Sequence, residues 1–446
     1  MAKRNVLIIG AAGRDFHNFN IVYKDDPDFK VIAFTANQIP NIEGRLYPPE
    51  LAGPRYPDGI PIFPEKDLPE LIKKYHVKDC VFSYSDISYL TVMGIGAIVN
   101  AAGANFLILG PEETMIRSKK PLIAICAVRT GCGKSQTSRK IVELLMKSGK
   151  KVVAIRHPMP YGNLVKQKVQ RFSELDDLKK HDCTIEEMEE YEPHIVRGNV
   201  IYAGVDYKAI LEAAENDPDG CDVIVWDGGN NDFPFYQPDL MITVTDPHRV
   251  GHELSYYPGE VNLRMADVVI INKMDSADKK DIESLKDNIH KVNPGAILIE
   301  GASPIRVDRP ELITGKRVLV VEDGPTLTHG EMKYGAGTVI SRRLKAKDLV
   351  DPRPFLVGDL KKTFDKYPEI GSLLPAMGYG EKQLHDLEET IDRTDCDSVV
   401  IGTPIDLSRV IRIGKPHTRA YYDLEEIGKP DLKKLLEDFL NNKGLK

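Results

Sequence analysis

The sequence contains no run of about 20 apolar residues, the length that a helix needs to cross a bilayer. Its six cysteines lie far apart and form no C-x-x-C pair, which argues against a zinc ribbon or a disulfide framework. A basic field is also missing, since the net charge is −7 and the pI is about 5.9. These absences predict a cytoplasmic protein that binds neither nucleic acid nor a membrane.

The remaining composition is that of a globular protein, with 42% hydrophobic and 28% charged residues. A chain of 446 residues is too long for one ordinary core. Short apolar runs alternate with helical patterns along the chain, which predicts parallel sheets in an α/β fold. We expect a Rossmann-like, doubly wound domain at 1–118, a P-loop NTPase core at 119–350, and a C-terminal α/β extension at 351–446 that packs on the core.

The first domain lacks the full G-x-G-x-x-G spacing of a dinucleotide site, because only Gly10-Ala-Ala-Gly13 follows its first strand. Three interpretations stay open for this turn: a nicotinamide site, an ordinary glycine turn, or an anion site formed by a helix N-terminus with Arg14 and His17. Asp86 follows another strand of this domain at the edge where such sheets bind ligands, and is a weaker candidate.

The clearest signal is the stretch Pro121 to Ser138, in which an apolar run stops at glycines and a helical pattern follows. Backbone N–H groups of such a loop wrap a phosphate, Lys134 neutralises charge between the β and γ groups, and Ser135 holds Mg²⁺. The predicted nucleotide-binding residues of this loop are Thr130, Gly131, Cys132, Gly133, Lys134, Ser135 and Gln136.

The loop departs from G-x-x-x-x-G-K-[ST] because Val128 stands where the first glycine belongs. In another register, Arg129 takes the place of the signature lysine of the deviant Walker A, or SIMIBI, class. Resemblance to that class implies a homodimer in which Arg129 reaches the partner's nucleotide. We predict Lys134, Arg129 and Asp227 as the catalytic residues.

Two further motifs support a nucleotide site. The apolar run Asp222–Trp226 ends at Asp227, as a Walker B strand does, and this carboxylate holds Mg²⁺ with Ser135. The segment Asn272, Lys273, Met274, Asp275 matches N-K-x-D, in which Asp275 accepts hydrogen bonds from guanine. Together with the phosphate loop, these motifs predict a nucleoside triphosphate as the ligand, either ATP or GTP.

Basic residues recur where strands of the core end, and such strand ends converge on the nucleotide in α/β sheets. Guanidinium and imidazole groups suit a small polyanionic substrate. We expect this substrate to be a small phosphorylated acid. The candidate substrate-binding residues are Arg14, His17, Arg156, His157, His248, Arg249, His329 and Arg409.

The motifs CAVRTGCGKSQTS, WDGGNND, NKMDSAD, VEDGPTLTHG and GTPIDLSRVI together resemble those of the cyclic 2,3-diphosphoglycerate synthetases. The resemblance implies ATP-driven closure of 2,3-diphosphoglycerate into an intramolecular pyrophosphate, with release of ADP and phosphate. The N-K-x-D motif indicates guanine instead of adenine, so a GTP-using branch with another substrate is a second possibility.

The alternative from another class is a regulatory or assembly GTPase of the SIMIBI type, like the nickel-insertion and partition NTPases. A metal-delivery role predicts a cysteine and histidine cluster near the loop. Cys126 and Cys132 lie there, but the sequence has no histidine tract beside them. The phosphoryl-transfer ligase is therefore the preferred prediction.

Overall fold

The computed structural model describes residues 3–10, 13–36, 44–157, 162–229, 232–324, 327, 333–376 and 381–445. These residues build an α/β protein with three large sheets that follow one another along the chain. Within these residues no helix is both long and apolar enough to span a membrane. The predicted substrate ligand His329 falls outside the described residues.

The first sheet has the order β3-β4-β2-β1-β5-β7 and is parallel except for β3. Its central strand β1 is buried from Val6 to Ile9, as the β-branched run predicts. The strands of this part are β1 (Arg4–Ile9), β2 (Phe29–Ala36), β3 (Leu46–Tyr47), β4 (Ile60–Pro64), β5 (Asp79–Phe82), β6 (Ile87–Ser88) and β7 (Asn105–Ile108). The helices are α1 (Arg14–Asn18), which continues as a π-helical turn (Phe19–Tyr23), α2 (Pro49–Ala52), α3 (Leu68–Lys74), α4 (Tyr89–Ala101) and α5 (Pro111–Thr114).

The second sheet has the order β10-β11-β9-β12-β8-β13-β15-β16-β23, with parallel pairing from β11 to β16 and antiparallel strands at both edges. Its strands up to this edge are β8 (Leu122–Ala127), β9 (Val152–Arg156), β10 (Gln170–Phe172), β11 (Val200–Ala203), β12 (Val223–Trp226), β13 (Leu240–Thr245), β15 (Val268–Ile271) and β16 (Ile297–Ala302). The short strand β14 (Tyr256–Tyr257) lies between β13 and β15 in the chain but pairs with β6. The helices are α6 (Lys134–Lys147), α7 (Leu175–Lys180), α8 (Ile185–Ile195), α9 (Tyr207–Glu215), α10 (Gly259–Met265) and α11 (Lys279–Val292).

The third sheet has the order β17-β22-β21-β18-β19, and β20 also pairs with β18. Its strands are β17 (Ile305–Val307), β18 (Arg317–Asp323), β19 (Asp348–Leu349), β20 (Leu374–Ala376), β21 (Ser398–Gly402) and β22 (His417–Tyr422). The next strand along the chain, β23 (Glu425–Ile427), is the edge strand of the second sheet. The helices of this part are α12 (Ala336–Arg343), α13 (Leu360–Lys366), α14 (Glu381–Arg393) and α15 (Leu432–Asn442).

The third sheet contains strands from both sides of the domain boundary that we expected at 350. The strand at 317–323 has the apolar pattern of the core strands, and for that reason the sequence assigned it to the core. The chain then returns, since β23 joins the second sheet and α15 packs on the same hydrophobic cluster as α6. The C-terminal residues therefore do contact the core.

The acidic composition of the segment from 171 to 191 favours a helical segment near the surface, but within this segment α8 is largely buried, while most residues before it are half-buried or exposed. Its helix α8 starts with a capping box in which Thr184 and Glu187 bind each other's backbone N–H groups. Glu186, Glu189 and His194 of this helix are all buried, because α8 lies between the second sheet and the third. The expected surface location is therefore wrong for α8.

Candidate nucleotide site

The phosphate loop follows β8 and leads directly into α6, as predicted. Gly131 and Gly133 adopt φ values of 83° and 107°, which only glycine tolerates easily. A Cβ on Gly133 would lie 2.1 Å from Nδ2 of Asn272 and 2.4 Å from Nε2 of Gln136. These glycines therefore fix the loop against the N-K-x-D segment.

The loop lysine contacts the Walker B aspartate directly. Nζ of Lys134 lies 2.9 Å from Oδ1 of Asp227, and both side chains are buried. Ser138, one turn into α6, donates to the same oxygen at 2.6 Å. Burial and the Arg156 charge lower the pKa of Lys134, against the opposing pull of Asp227.

Two more side chains converge on Asp227 from β9 and α8. Arg156 lies 3.1 Å from its Oδ1, and Nε2 of His194 donates to its Oδ2 at 3.2 Å. The second nitrogen of Arg156 pairs with Glu190 of α8. Burial raises the pKa of the Asp227 carboxyl, but Lys134 and Arg156 outweigh burial and hold it well below its usual range.

The first two residues of N-K-x-D hold the phosphate loop in place. Asn272 donates to the Cys132 carbonyl at 2.9 Å, and Lys273 donates to the Gly131 carbonyl at 2.6 Å. Asp275 is exposed, and one of its oxygens accepts from the Ser303 N–H at 2.9 Å. The arrangement leaves Asp275 at the solvent edge, where a base can reach it.

Arg129 is buried and contacts residues of its own chain. Its Nε donates to Asp86 at 2.6 Å, and NH1 donates to Nδ1 of His252 at 2.7 Å. The guanidinium lies 3.5 Å from the ring centroid of Tyr256, and the side chain is 1% exposed. The homodimer itself stays a prediction, but this structure gives Arg129 the role of joining the first sheet to the phosphate loop.

Arg14 and His17 also lie at the contact between the first sheet and the core. Arg14 donates to Asp232 at 3.1 Å and stacks on Phe233, while His17 donates to the Thr114 carbonyl at 2.6 Å. Burial and the Arg14 charge lower the pKa of His17 to about 3. This packing makes the turn after β1 a contact between domains.

His157 occupies the same contact, 4.0 Å from Asp232. A Cβ on Gly13 would lie 1.8 Å from its Nε2, and a Cβ on Gly229 would lie 2.6 Å from its Cβ. Burial raises the pKa of the Asp232 carboxyl to about 7, although Arg14 opposes this. The two glycines therefore give His157 room between the domains.

The other predicted substrate ligands do not form one pocket. Arg249 lies 3.1 Å from Asp246 and 3.4 Å from Sγ of Cys132, close to the loop. His248 is exposed at 2.9 Å from Oγ of Ser276. Arg409 is exposed and pairs with Glu192 at 3.2 Å. Arg249 and His248 follow β13 of the second sheet, whereas Arg409 follows β21 of the third sheet. The sequence pattern of a strand does not reveal which sheet it joins.

Sequence reasoning missed several residues around Asp227. Ser138 could have been found, because it follows Lys134 by four residues and so lies on the same face of α6. Glu190 and His194 had no such signal, since α8 was taken for a surface helix. Among the described residues no group of three or more His, Cys, Asp or Glu side chains could hold a metal ion.

One nucleotide-binding family matches the part of the chain that carries the Walker B strand and N-K-x-D. Residues 223–300, which run from β12 past N-K-x-D, match the CobW/HypB/UreG nucleotide-binding domain. The solved structures of LpxK from Aquifex aeolicus (13% identity, 83% of this chain, 99% of that chain, TM-score 0.46) and of HypB from Archaeoglobus fulgidus (17% identity, 41% of this chain, 81% of that chain, TM-score 0.28) are also similar.

The resemblance to cyclic 2,3-diphosphoglycerate synthetases is overturned. The synthetase of Pyrococcus furiosus is 28% identical over only 75 residues, 17% of each chain. Motifs shared by many P-loop proteins carried that resemblance, so the predicted closure of 2,3-diphosphoglycerate was wrong.

A different relative matches nearly the whole chain. "Arginine synthetase ArcE" of Thermococcus kodakarensis is 60% identical over 440 residues, which cover 99% of this chain and 98% of that protein. At this identity and coverage the phosphate loop, the third sheet and the C-terminal helix all fall within the shared sequence. The chain belongs to the family of arginine synthetase ArcE.

Proposed function

We propose that this chain forms arginine in a reaction driven by cleavage of a nucleoside triphosphate. The observation that carries the proposal is the 60% identity to arginine synthetase ArcE over 99% of the chain. The buried contact between Lys134 and Asp227 supports the nucleotide-splitting half of the reaction.

The structure of the product, arginine, restricts which molecule can accept the phosphoryl group. A phosphate loop transfers a phosphoryl group to an oxygen atom, and arginine carries nitrogen at every position around its guanidinium carbon. The acceptor is therefore the ureido analogue of arginine, citrulline, whose carbonyl oxygen attacks the γ-phosphorus and releases the nucleoside diphosphate. Ammonia then adds to the ureido carbon, and the oxygen leaves with the phosphoryl group as inorganic phosphate.

The residues of the loop serve the first step. Lys134 and the N–H groups of Gly131 to Ser135 neutralise charge on the β and γ phosphates. In the structure Lys134 pairs with Asp227. When a nucleotide binds, Nζ of Lys134 moves towards the phosphates. Arg156 stays beside Asp227 and balances the negative charge of its carboxylate. The network thus keeps Asp227 ionised in both states.

Ser135 and Asp227 fit Mg²⁺, because hydroxyl and carboxylate oxygens are the donors that this ion prefers. Ser135 lies in the first turn of α6 and Asp227 directly follows β12, so these two side chains would hold the ion beside the phosphate loop. The ion, when bound, would supply positive charge that offsets the charge of the triphosphate.

We propose guanine as the preferred base. Asp275 is exposed, and its backbone contact through Ser303 occupies one oxygen and leaves the other available to the N1 and N2 donors of guanine. Adenine offers no donor pair at those positions. The nucleotide is GTP in this proposal, with ATP as the competing co-substrate.

The experiment is to incubate the protein with citrulline, ¹⁵N-ammonium, Mg²⁺ and either GTP or ATP, and to analyse the products by mass spectrometry. We expect arginine heavier by one mass unit, formed only when nucleotide is present. Arginine without the label, or no arginine with either nucleotide, would show that the proposal is wrong.

A further inference from the structure

The side chain of Gln136, the third residue of α6, carries a buried donor without an acceptor. The side chain is 2% exposed, and its Oε1 accepts a hydrogen bond from Oγ of Ser303 at 2.9 Å. Its Nε2 has no hydrogen-bond partner among the described residues. A buried amide N–H group without an acceptor is rare in folded proteins and needs an explanation.

The hydrogen bond from Ser303 fixes the orientation of the Gln136 amide. Oε1 faces the serine hydroxyl, so Nε2 lies on the other side of the amide group. A Cβ on Gly133 would lie 2.4 Å from this nitrogen, which places it beside the phosphate loop. The end of the amide that faces the loop is therefore the end that can only donate.

Ser303 also contacts the residue that we propose for the base. It directly follows β16, and its backbone N–H donates to Oδ1 of Asp275 at 2.9 Å. Its hydroxyl holds Gln136 at the same time. The Gln136 amide thus connects the base-binding segment, through its oxygen, with Gly133 of the phosphate loop, through its nitrogen.

A bound nucleotide has to span the same two segments. Its phosphates lie in the loop, and the six-membered ring of its base lies at Asp275 in the proposed function. In the anti conformation of a purine nucleotide, N7 is on the edge of the base that faces the 5′-phosphates. N7 is a hydrogen-bond acceptor in both adenine and guanine. A donor located between Asp275 and the loop therefore matches N7.

Asn272 carries the other side-chain amide beside Gly133. Its Nδ2 donates to the Cys132 carbonyl at 2.9 Å, and a Cβ on Gly133 would lie 2.1 Å from that nitrogen. Its Oδ1 cannot donate to N7, because an amide oxygen only accepts. Asn272 therefore uses one of its N–H groups to hold the loop, whereas Nε2 of Gln136 has no partner among the described residues.

We propose that Nε2 of Gln136 donates a hydrogen bond to N7 of the purine, an inference that rests on the nucleotide-binding half of the proposed function. The contact favours purines over pyrimidines, because the pyrimidine ring has no N7. It does not distinguish GTP from ATP, so that choice is left to Asp275. Gln136 is then a specificity-determining residue that lies outside the N-K-x-D motif.

The test compares nucleoside diphosphates with their 7-deaza analogues, in which a C–H group replaces N7. Isothermal titration calorimetry on the full-length protein with Mg²⁺ measures the affinities for GDP, ADP and their two analogues. The wild-type protein should bind the analogue of its preferred purine about tenfold more weakly than the parent, because the buried N–H group again lacks an acceptor. Equal affinities for parent and analogue would overturn the proposal.

Variants identify the donor. Gln136→Met keeps the length of the side chain but has no N–H group, so it should bind parent and analogue with equal affinity. Gln237→Met, at an exposed glutamine, is the control and should keep the difference between them. A difference of about tenfold that persists in Gln136→Met would assign N7 to another donor, such as Nδ2 of Asn272, and would contradict the proposal.

A second variant covers the case in which Gln136→Met does not fold, which thermal unfolding detects. Gln136→Glu has nearly the same shape, and its carboxylate can accept from Ser303 but cannot donate to N7. Like Gln136→Met, it should bind parent and analogue equally. A retained preference for the parent nucleotide would again contradict the proposal.

The outcomes also separate this contact from the proposed function. Binding of diphosphates requires neither citrulline nor ammonia, so a loss with the 7-deaza analogue that depends on Gln136 supports the contact even if the protein forms no arginine. Formation of labelled arginine together with equal binding of parent and analogue would mean that the function stands and the contact is wrong.

Discussion

The carboxylate of Asp86, which follows β5 of the first sheet, lies 2.6 Å from Nε of Arg129 at the start of the phosphate loop. Its second oxygen accepts from the Thr130 N–H at 3.1 Å. Asp86 adopts a φ of 58°, a conformation that costs a non-glycine residue of order 1 kcal/mol and is kept where the surroundings fix it. The first domain thus orders the loop through one carboxylate.

Asp86→Asn should weaken nucleotide binding about tenfold, because a charge-assisted hydrogen bond to a buried Arg129 is lost. The measurement is nucleoside diphosphate affinity by calorimetry, together with thermal unfolding. Asp58→Asn, an exposed aspartate of the same domain, is the control and should change neither quantity. Wild-type affinity in Asp86→Asn would mean that the loop is ordered without the first domain.

Lys134→Ala should lower the rate of phosphate release at least a hundredfold, because the β and γ phosphates lose their main cationic contact. Lys147→Ala lies at the exposed end of the same helix, where the side chain pairs with Glu143, and should keep the full rate. Steady-state kinetics with saturating nucleotide measures both. A residual rate above a tenth of wild type in Lys134→Ala would exclude the lysine as a transition-state contact.

Asp275→Asn should reduce GTP affinity by about 1–3 kcal/mol and improve the affinity for xanthosine triphosphate, because the amide then matches the oxygen that xanthine carries in place of the guanine amine. Competition binding with the two nucleotides measures this exchange. Asp278→Asn, exposed three residues later, is the control. Equal GTP affinity in Asp275→Asn would show that N-K-x-D serves only to hold the loop.

His17 should make stability depend on pH in the acid range. Its pKa is about 3 in the folded protein and about 6.5 when unfolded, so between these values the unfolded chain binds an extra proton. This contribution to stability is fully present above pH 6.5 and is lost as the pH falls towards 3. At pH 4.5 the loss is roughly 2–3 kcal/mol.

In His17→Gln the stability difference between pH 7 and pH 4.5 should shrink by that amount. Urea unfolding at the two pH values measures the difference, and His385→Gln, at an exposed histidine, is the control. A pH dependence equal to that of the wild type would mean that His17 is protonated in the folded protein.

The sequence predicted the parts of the fold that rest on local patterns. The strand before the phosphate loop and the helix that follows it lie where the sequence predicts them, because apolar periodicity and glycines mark their ends. The membership of a strand in a sheet depends on long-range pairing, so the sequence did not reveal that the strand at 317–323 belongs to the third sheet and not to the sheet of the phosphate loop.

The candidate site also contains residues that local patterns predicted and residues that they did not. Lys134, Asp227 and Asn272 were found because their spacing is set by one loop and two strand ends. His194 reaches Asp227, and Glu190 reaches Arg156, only because α8 is buried between sheets, and acidic composition suggested the opposite. The acceptor could not be read from phosphate-loop motifs, which are common to proteins with many substrates.

The most direct test of the account is the stoichiometry of the complete reaction. Phosphate and arginine are measured in the same samples over time, with GTP, Mg²⁺, citrulline and ammonium present and each omitted in turn. We expect one phosphate per arginine, and no arginine when any one component is missing. Phosphate release at the same rate without citrulline, accompanied by no arginine in the complete mixture, would contradict it.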